Sequence, residues 1–186
     1  MDDFDVVRGF FVGRLLDDIS RGRVDDDIAG YLVSLNRFGC LFTTSSCSGR
    51  VVVIYSSDFR SKRDARILDG WHDPGGCRLN VCGYSHLGYD SMFYYWVSLQ
   101  PPIIHFVARD IDTAEALVGC GDRSGFSKLG YRRYRAGGYH VTVGAGDKIH
   151  VSLPASCDTL LALCDLLKVY KEKLYSFLEC TSKINC

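Results

Sequence analysis

The chain predicts an α/β fold, a single compact domain over residues 1–186 in which a mixed β-sheet carries flanking helices. Three observations point there. Apolar residues recur with helical period near both ends: Phe4, Val7, Phe11 and Leu15 at the start, and Leu160, Leu163, Leu167, Tyr170, Leu174 and Phe177 near the close. Between them lie β-branched and aromatic runs such as Val51-Val52-Val53-Ile54-Tyr55, which fit a pleated, buried surface. No Gly-x-Gly-x-x-Gly turn or Walker-type loop joins a strand to a helix, so the fold is not the Rossmann type.

In chain order, the spacing predicts a first helix over 4–18. A second starts at Val24-Asp25-Asp26-Asp27-Ile28, with an acidic first turn that suits the helix dipole and an apolar face of Ile28, Tyr31, Leu32 and Leu35. Residues 38–42 lead into a polar stretch, and 50–55 form a strand. Residues 60–70 read as a loop or short helix, and 79–83 and 92–99 as strands. A strand at 103–108 precedes a helix at 112–121. Strands near 139–144 and 148–153 follow, and a long amphipathic helix spans about 156–180. Gly75-Gly76, Gly137-Gly138 and Gly144-Ala145-Gly146 read as hairpin turns.

Composition excludes several classes. Apolar residues make up 47% and charged residues 24% of 186, ordinary for a globular chain. No run of eighteen apolar residues is present, so no membrane span is expected. The start, Met1-Asp2-Asp3-Phe4-Asp5, is acidic where a secretory signal is basic, so a cytoplasmic location is expected. The nine cysteines are odd in number and have no secretory context, which argues against a secreted disulfide framework; disulfides are expected only if the source is a hyperthermophile, where bridges form inside the cell. Cys77 and Cys82 stand at the loose end of zinc-ligand spacing with no second pair, so no metal is expected and most thiols read as small core residues.

The stretch with the most chemistry is Thr43-Thr44-Ser45-Ser46-Cys47-Ser48-Gly49-Arg50. A turn needs one or two polar residues, not this succession of hydroxyls ending in a thiol, a glycine and an arginine. The plain alternative is a serine-rich loop with a solvated Arg50 and Cys47 filling a core gap. The other reading is the lining of a site at the mouth of a strand.

This string resembles the signature of the wybutosine-synthesising tRNA methyltransferase family, Ser/Thr-x-Ser-Ser-Cys-x-Gly-Arg. Thr43, Ser45, Ser46, Cys47, Gly49 and Arg50 match every defined position. Upstream, Asp18-Ile19-Ser20-Arg21-Gly22-Arg23-Val24-Asp25 is similar to the family's Asp-Leu-Ser-x-Lys-Gly-x-Val-Asp, one residue shorter. Downstream, 101–110 resembles its Glu-Pro-x-x-Leu-His-Val-x-x-Arg segment. Ser124-Gly125-Phe126 begins its Ser-Gly-Phe-Arg-x-Ser-Gly, which then departs at Ser127 and Leu129. The resemblance covers nearly the whole chain and is strongest over 40–55 and 100–130.

The resemblance implies an S-adenosylmethionine-dependent methyltransferase with an α/β fold of its own class. Its substrate would be the anticodon loop of phenylalanine tRNA, methylated on N4 of a 4-demethylwyosine derivative at position 37. An in-line methyl displacement asks the protein chiefly to orient the reactants and to accept one proton. Asp25 is the candidate proton acceptor, against a helix-start role. Thr43, Ser45 and Ser46 are candidates for cofactor binding, Gly49 for close backbone approach, and Arg50 for pairing with a carboxylate or phosphate. Amine methylation needs no covalent intermediate, so Cys47 is expected to pack against the donor. His105, mid-strand, and His72 compete as the functional histidine; His86, His140 and His150 have no motif support. The aromatic run 93–96 reads as core packing or a stacking platform.

Net charge is zero, but basic residues gather at 60–66 and at Tyr131-Arg132-Arg133-Tyr134-Arg135. Arginines interleaved with aromatics suit phosphate contact and base stacking, which marks Arg132, Arg133 and Arg135 as RNA-binding candidates against a solvated hairpin. The function class opposed to the enzyme is a non-catalytic tRNA-binding module that presents the modified base to another enzyme.

Overall fold

The computed structural model describes residues 3–58, 63–88, 92–135 and 137–184. Asp2, Arg60, Lys62 and Cys186, drawn on above, lie outside them. In chain order the elements are α1 (Asp3–Ser20), α2 (Asp26–Leu35), β1 (Leu41–Cys47), β2 (Arg50–Ser56), β3 (Arg66–Trp71) and α3 (Pro74–Asn80). A 3-10 turn, Val81–Tyr84, comes next. Then follow β4 (Tyr94–Gln100), β5 (Ile103–Ala108), α4 (Ile111–Arg123), β6 (Lys128–Arg133), β7 (Tyr139–Gly144), β8 (Ile149–Ser152) and α5 (Cys157–Thr181). They divide into two compact units, one of residues 1–48, 102–146 and 172–186, the other of 49–101 and 147–171.

The α/β class and the non-Rossmann organisation hold, but the one mixed sheet expected from sequence is replaced by two four-stranded antiparallel sheets. The first unit holds the order β1-β5-β7-β6, and the second β3-β2-β4-β8. Parallel pairing needs a crossover through a helix, whereas β2–β3 and β6–β7 are joined directly and pair antiparallel. At the β6–β7 turn, Gly138 has φ +79 and an added Cβ would stand 2.2 Å from the Ala108 carbonyl oxygen, so only glycine fits. Residues 144–146 are not a hairpin, because β7 and β8 belong to different sheets.

In the first unit α1 covers β1 and β5. Phe4, Phe42 and Val107 form its buried cluster, with Val7 and Phe11 packed on it. The Phe4 and Phe42 rings meet edge to face at 5.2 Å, and Phe11 stacks on Phe42 at 5.4 Å. On the opposite side Phe106 and Phe126 meet Phe177 of α5. Burying each such ring stabilises by about 1.5–3 kcal/mol. Of the stripe expected on α2, Ile28, Leu32 and Leu35 are buried while Tyr31 is 45% exposed, its ring on the outer face.

Three segments differ from expectation. The string 43–47 is not a strand's approach but part of strand β1 itself. Residues 66–71 form strand β3, not a loop or helix. Residues 74–84 are helical, so Gly75-Gly76 is not a hairpin turn and 79–83 is not a strand. The cause is local: Asp73 caps the helix by accepting from the Gly76 amide at 2.6 Å, and Pro74 occupies the first turn, where a missing N–H costs nothing.

The cysteines differ as well. Cys77–Cys164 and Cys82–Cys157 join the 74–84 segment to α5 in the second unit, and Cys120–Cys180 joins α4 to α5 in the first. Cys40 is also disulfide-bonded, and among the described residues Cys47 is the free thiol. The partners lie 60 to 87 residues apart in sequence, so only the fold brings their Cα atoms to 4.9–5.7 Å, inside the bonding range.

Candidate active site

β1 is the edge strand of the first unit's sheet, and its hydroxyls are held by three separate contacts. Asn36, buried at the C-terminal end of α2, accepts from the Thr43 amide at 2.9 Å and donates to its hydroxyl at 2.7 Å. The Asn36 amide therefore stands in for a neighbouring strand. Thr44 is the extra residue of a β-bulge between Thr43 and Ser45, its hydroxyl 3.4 Å from the His105 carbonyl oxygen. Asp25 occupies the N-cap position of α2 but makes no side-chain cap. Instead its Oδ2 accepts from the Ser48 amide at 2.7 Å, tying the start of α2 to the end of the string.

Thr43, Thr44, Ser45 and Ser46 line a cavity of about 160 Å³ against α1 and the Arg23-Val24 stretch that follows it. Phe11, Leu15 and Val24 supply apolar wall, and Arg14, Asp18 and Arg23 supply charge. Asp18 sits between the two arginines, 3.5 Å from Arg14 and 3.4 Å from Arg23. Arg23 and Val24 lead directly into Asp25, so the two sequence segments singled out above are neighbours in the folded unit.

On β5, His105 pairs across to Ser45 on one side and Thr142 on the other, and its Nδ1 lies 3.1 Å from the Thr142 hydroxyl. Its ring stacks on His140 with centroids 5.3 Å apart. Burial lowers the pKa of His105. His140 is lowered by burial first, then by His105 and Arg132. His140, Thr142 and Asn36 escape sequence reasoning. They carry no motif, and only alternation along 139–144 hints that His140 and Thr142 share a face.

The remaining candidates are spread apart. Cys47 ends β1 opposite Ile103, half-buried. Gly49 has φ +87, a conformation glycine adopts without strain, and lies between β1 and β2. Arg50 opens β2 in the second unit, where its Nε donates to Gln100 Oε1 at 3.0 Å. His72 also lies in the second unit, between β3 and α3. Arg132 and Arg133 project to opposite faces of β6: Arg132 pairs with His140, while Arg133 lies over the Tyr139 ring at 4.9 Å. Arg135 is exposed in the β6–β7 turn.

The profile of the family described as Methyltransferase TYW3 matches residues 9–183. The chain belongs to this family. It is 32% identical over 108 residues to a "tRNA(Phe) 7-((3-amino-3-carboxypropyl)-4-demethylwyosine(37)-N(4))-methyltransferase" of Archaeoglobus fulgidus, covering 58% of this chain and 53% of that one. A protein of the same name, numbered 2, from Pyrococcus abyssi is 33% identical over 108 residues, covering 58% and 51%. The match thus spans about half the length of these relatives. A solved structure of the PH1069 protein from Pyrococcus horikoshii superposes with a TM-score of 0.82 at 24% identity, covering 96% of both chains. That likeness shows a shared fold. Among the described residues no helix is long and apolar enough to cross a membrane.

Proposed function

We propose that this TYW3-family protein is a cytoplasmic tRNA methyltransferase of wybutosine biosynthesis. It would use S-adenosylmethionine to methylate N4 of a 4-demethylwyosine derivative at position 37, in the anticodon loop of phenylalanine tRNA. The family match across 9–183 carries this reading.

The donor set at β1 fits one end of such a cofactor. Hydroxyls of Thr43, Ser45 and Ser46 suit a ribose or amino-acid end, Arg14 or Arg23 a carboxylate, and Phe11 and Leu15 an apolar segment. A cavity of about 160 Å³ is smaller than the roughly 300–1,000 Å³ of whole-ligand pockets, so it would hold part of the molecule. When bound, the cofactor supplies an electrophilic sulfonium methyl.

In this reading Asp25 accepts the proton of the attacking nitrogen, its carboxylate oriented by the Ser48 amide. His105, fixed by Thr142 and His140, orients the base. Cys47 packs without forming a covalent bond. Gly49 admits close backbone approach, and Arg50 binds a carboxylate or phosphate. His72 remains the competing histidine.

Calorimetric titration with S-adenosylmethionine, repeated on Ser46→Ala and Arg50→Ala, tests the reading. Micromolar binding weakened by both substitutions is expected. Folded protein that takes up no cofactor, with or without tRNA, overturns methyl transfer and leaves an RNA-binding module.

A further inference from the structure

Residues directly opposite one another in an antiparallel sheet project to the same face. The registers of the first unit's sheet therefore place Gly130, Thr142, His105 and Ser45 in one row running from β6 to β1. Every member of the row but His105 is small. The flanking row on one side runs Arg132, His140, Val107, Phe42; on the other it runs Lys128, Gly144, Ile103, Cys47. A low track thus crosses four strands, bounded along one side by the bulkier row and on the other by Lys128 and Ile103 with a gap at Gly144. At strand spacing it is about 14 Å long.

The β6 end of the track opens into a hollow of about 350 Å³ lined by Lys128, Gly130, Arg132, His140 and Thr142. Gly130 keeps it open: a Cβ there meets nothing within 4 Å, and its φ is not positive, so the backbone does not demand glycine. Two cations stand either side of this gap. The other end reaches Ser45, which also lines the hydroxyl cavity. His140 offers a ring face beside the track, held by His105 and by Tyr134, whose ring stacks 6.3 Å away.

We infer that this row is the binding track for a single-stranded RNA segment. A phosphodiester sits between Lys128 and Arg132 over Gly130, and the adjoining base lies against His140 and His105, directed toward Ser45. The inference rests on the tRNA reading above and divides the arginine cluster. Arg132 faces the track, whereas Arg133 lies on the opposite face over Tyr139, on the side where Tyr131 donates to Glu115 of α4 at 3.1 Å.

Fluorescence anisotropy with a labelled anticodon stem-loop of phenylalanine tRNA, over a range of salt, provides the test. Lys128→Ala and Arg132→Ala should each weaken binding about five- to tenfold and lower the salt slope by about 0.7, as expected for one lost phosphate contact. Gly130→Leu should weaken binding by filling the hollow, with the slope retained. Arg133→Ala should bind within about twofold of the unsubstituted protein. A Gly130→Leu protein that binds normally, or an Arg133→Ala protein as impaired as Arg132→Ala, overturns the track. Titrating the same variants with S-adenosylmethionine separates the two readings. The RNA pattern without cofactor binding keeps the track and sinks methyl transfer; cofactor binding without the RNA pattern does the reverse.

Discussion

The imidazole of His140 lies nearly parallel to that of His105, with 28° between the planes and 5.3 Å between centroids. Two histidines this close and partly buried cannot both take a proton cheaply, because each charge loses solvation and meets the other. The pair is therefore neutral at physiological pH, a stacking surface with hydrogen-bonding nitrogens.

This predicts a pH dependence of stability. The unfolded chain takes up protons on these histidines near pH 6.5, whereas the folded pair takes them up only at lower pH. Unfolding is thus favoured progressively as pH falls below about 6.5, and the pair has no effect above about 7.5. On acidification from about pH 7.5 to about 5.5, a His105→Gln/His140→Gln variant should lose fewer degrees of melting temperature than the unsubstituted protein, and an equal loss would show that the pair does not carry the dependence.

Asn36→Ala should destabilise the first unit. It removes both bonds to Thr43 and leaves a buried amide unsatisfied on the edge strand, at a cost of about 2–3 kcal/mol. Urea titration followed by circular dichroism reads the change. A loss below about 0.5 kcal/mol would mean that the edge strand is held by other contacts.

Asp25→Asn keeps an acceptor for the Ser48 amide, while Asp25→Ala removes it. The alanine variant should lose about 1–3 kcal/mol and the asparagine variant less. If Asp25 is also the proton acceptor, asparagine should depress kcat with KM nearly unchanged. Equal activity of asparagine and aspartate would leave it a purely structural tie.

Reduction should weaken the second unit most. Crosslinks spanning 87 and 75 residues each restrict the unfolded chain by about 4–5 kcal/mol in the loop-entropy account. Thermal melts with and without dithiothreitol measure the effect. Without reductant, iodoacetamide should label Cys47 and spare Cys77, Cys82, Cys120, Cys157, Cys164 and Cys180. If the protein transfers methyl groups as proposed, Cys47→Ala should keep substantial activity.

Much of the helical framework was legible because it depends on local period. The stripe from Leu160 to Phe177 and the start of α2 at Asp25 needed no long-range information. Strands β3 and β6 were harder: Arg66–Trp71 and Lys128–Arg133 are mostly exposed, so neither shows a buried run. The 74–84 segment misled because two adjacent glycines look like a turn until Asp73 is recognised as a cap. The hydroxyl string could be picked out by composition and spacing. Asn36, His140 and Thr142 could not, since their roles exist only through sheet register and a clamp reached across seven residues.

The bulge at Thr44 has a consequence for how the string can vary. In a regular strand, residues two apart share a side. Here Thr43 is opposite Phe106 and Ser45 opposite His105, adjacent partners on β5 and therefore on reverse sides of the sheet. One intercalated residue thus sends Thr43 toward the helix that clamps it and Ser45 toward the histidine. Deleting Thr44 would remove one hydroxyl and close the bulge, leaving Thr43 opposite Phe106 and Ser45 opposite His105 as in a regular strand. The bulge therefore admits an extra hydroxyl into the string without changing the sides on which its two neighbours lie, so a string shortened by that one residue should keep the clamp to Asn36 and the approach of Ser45 to His105.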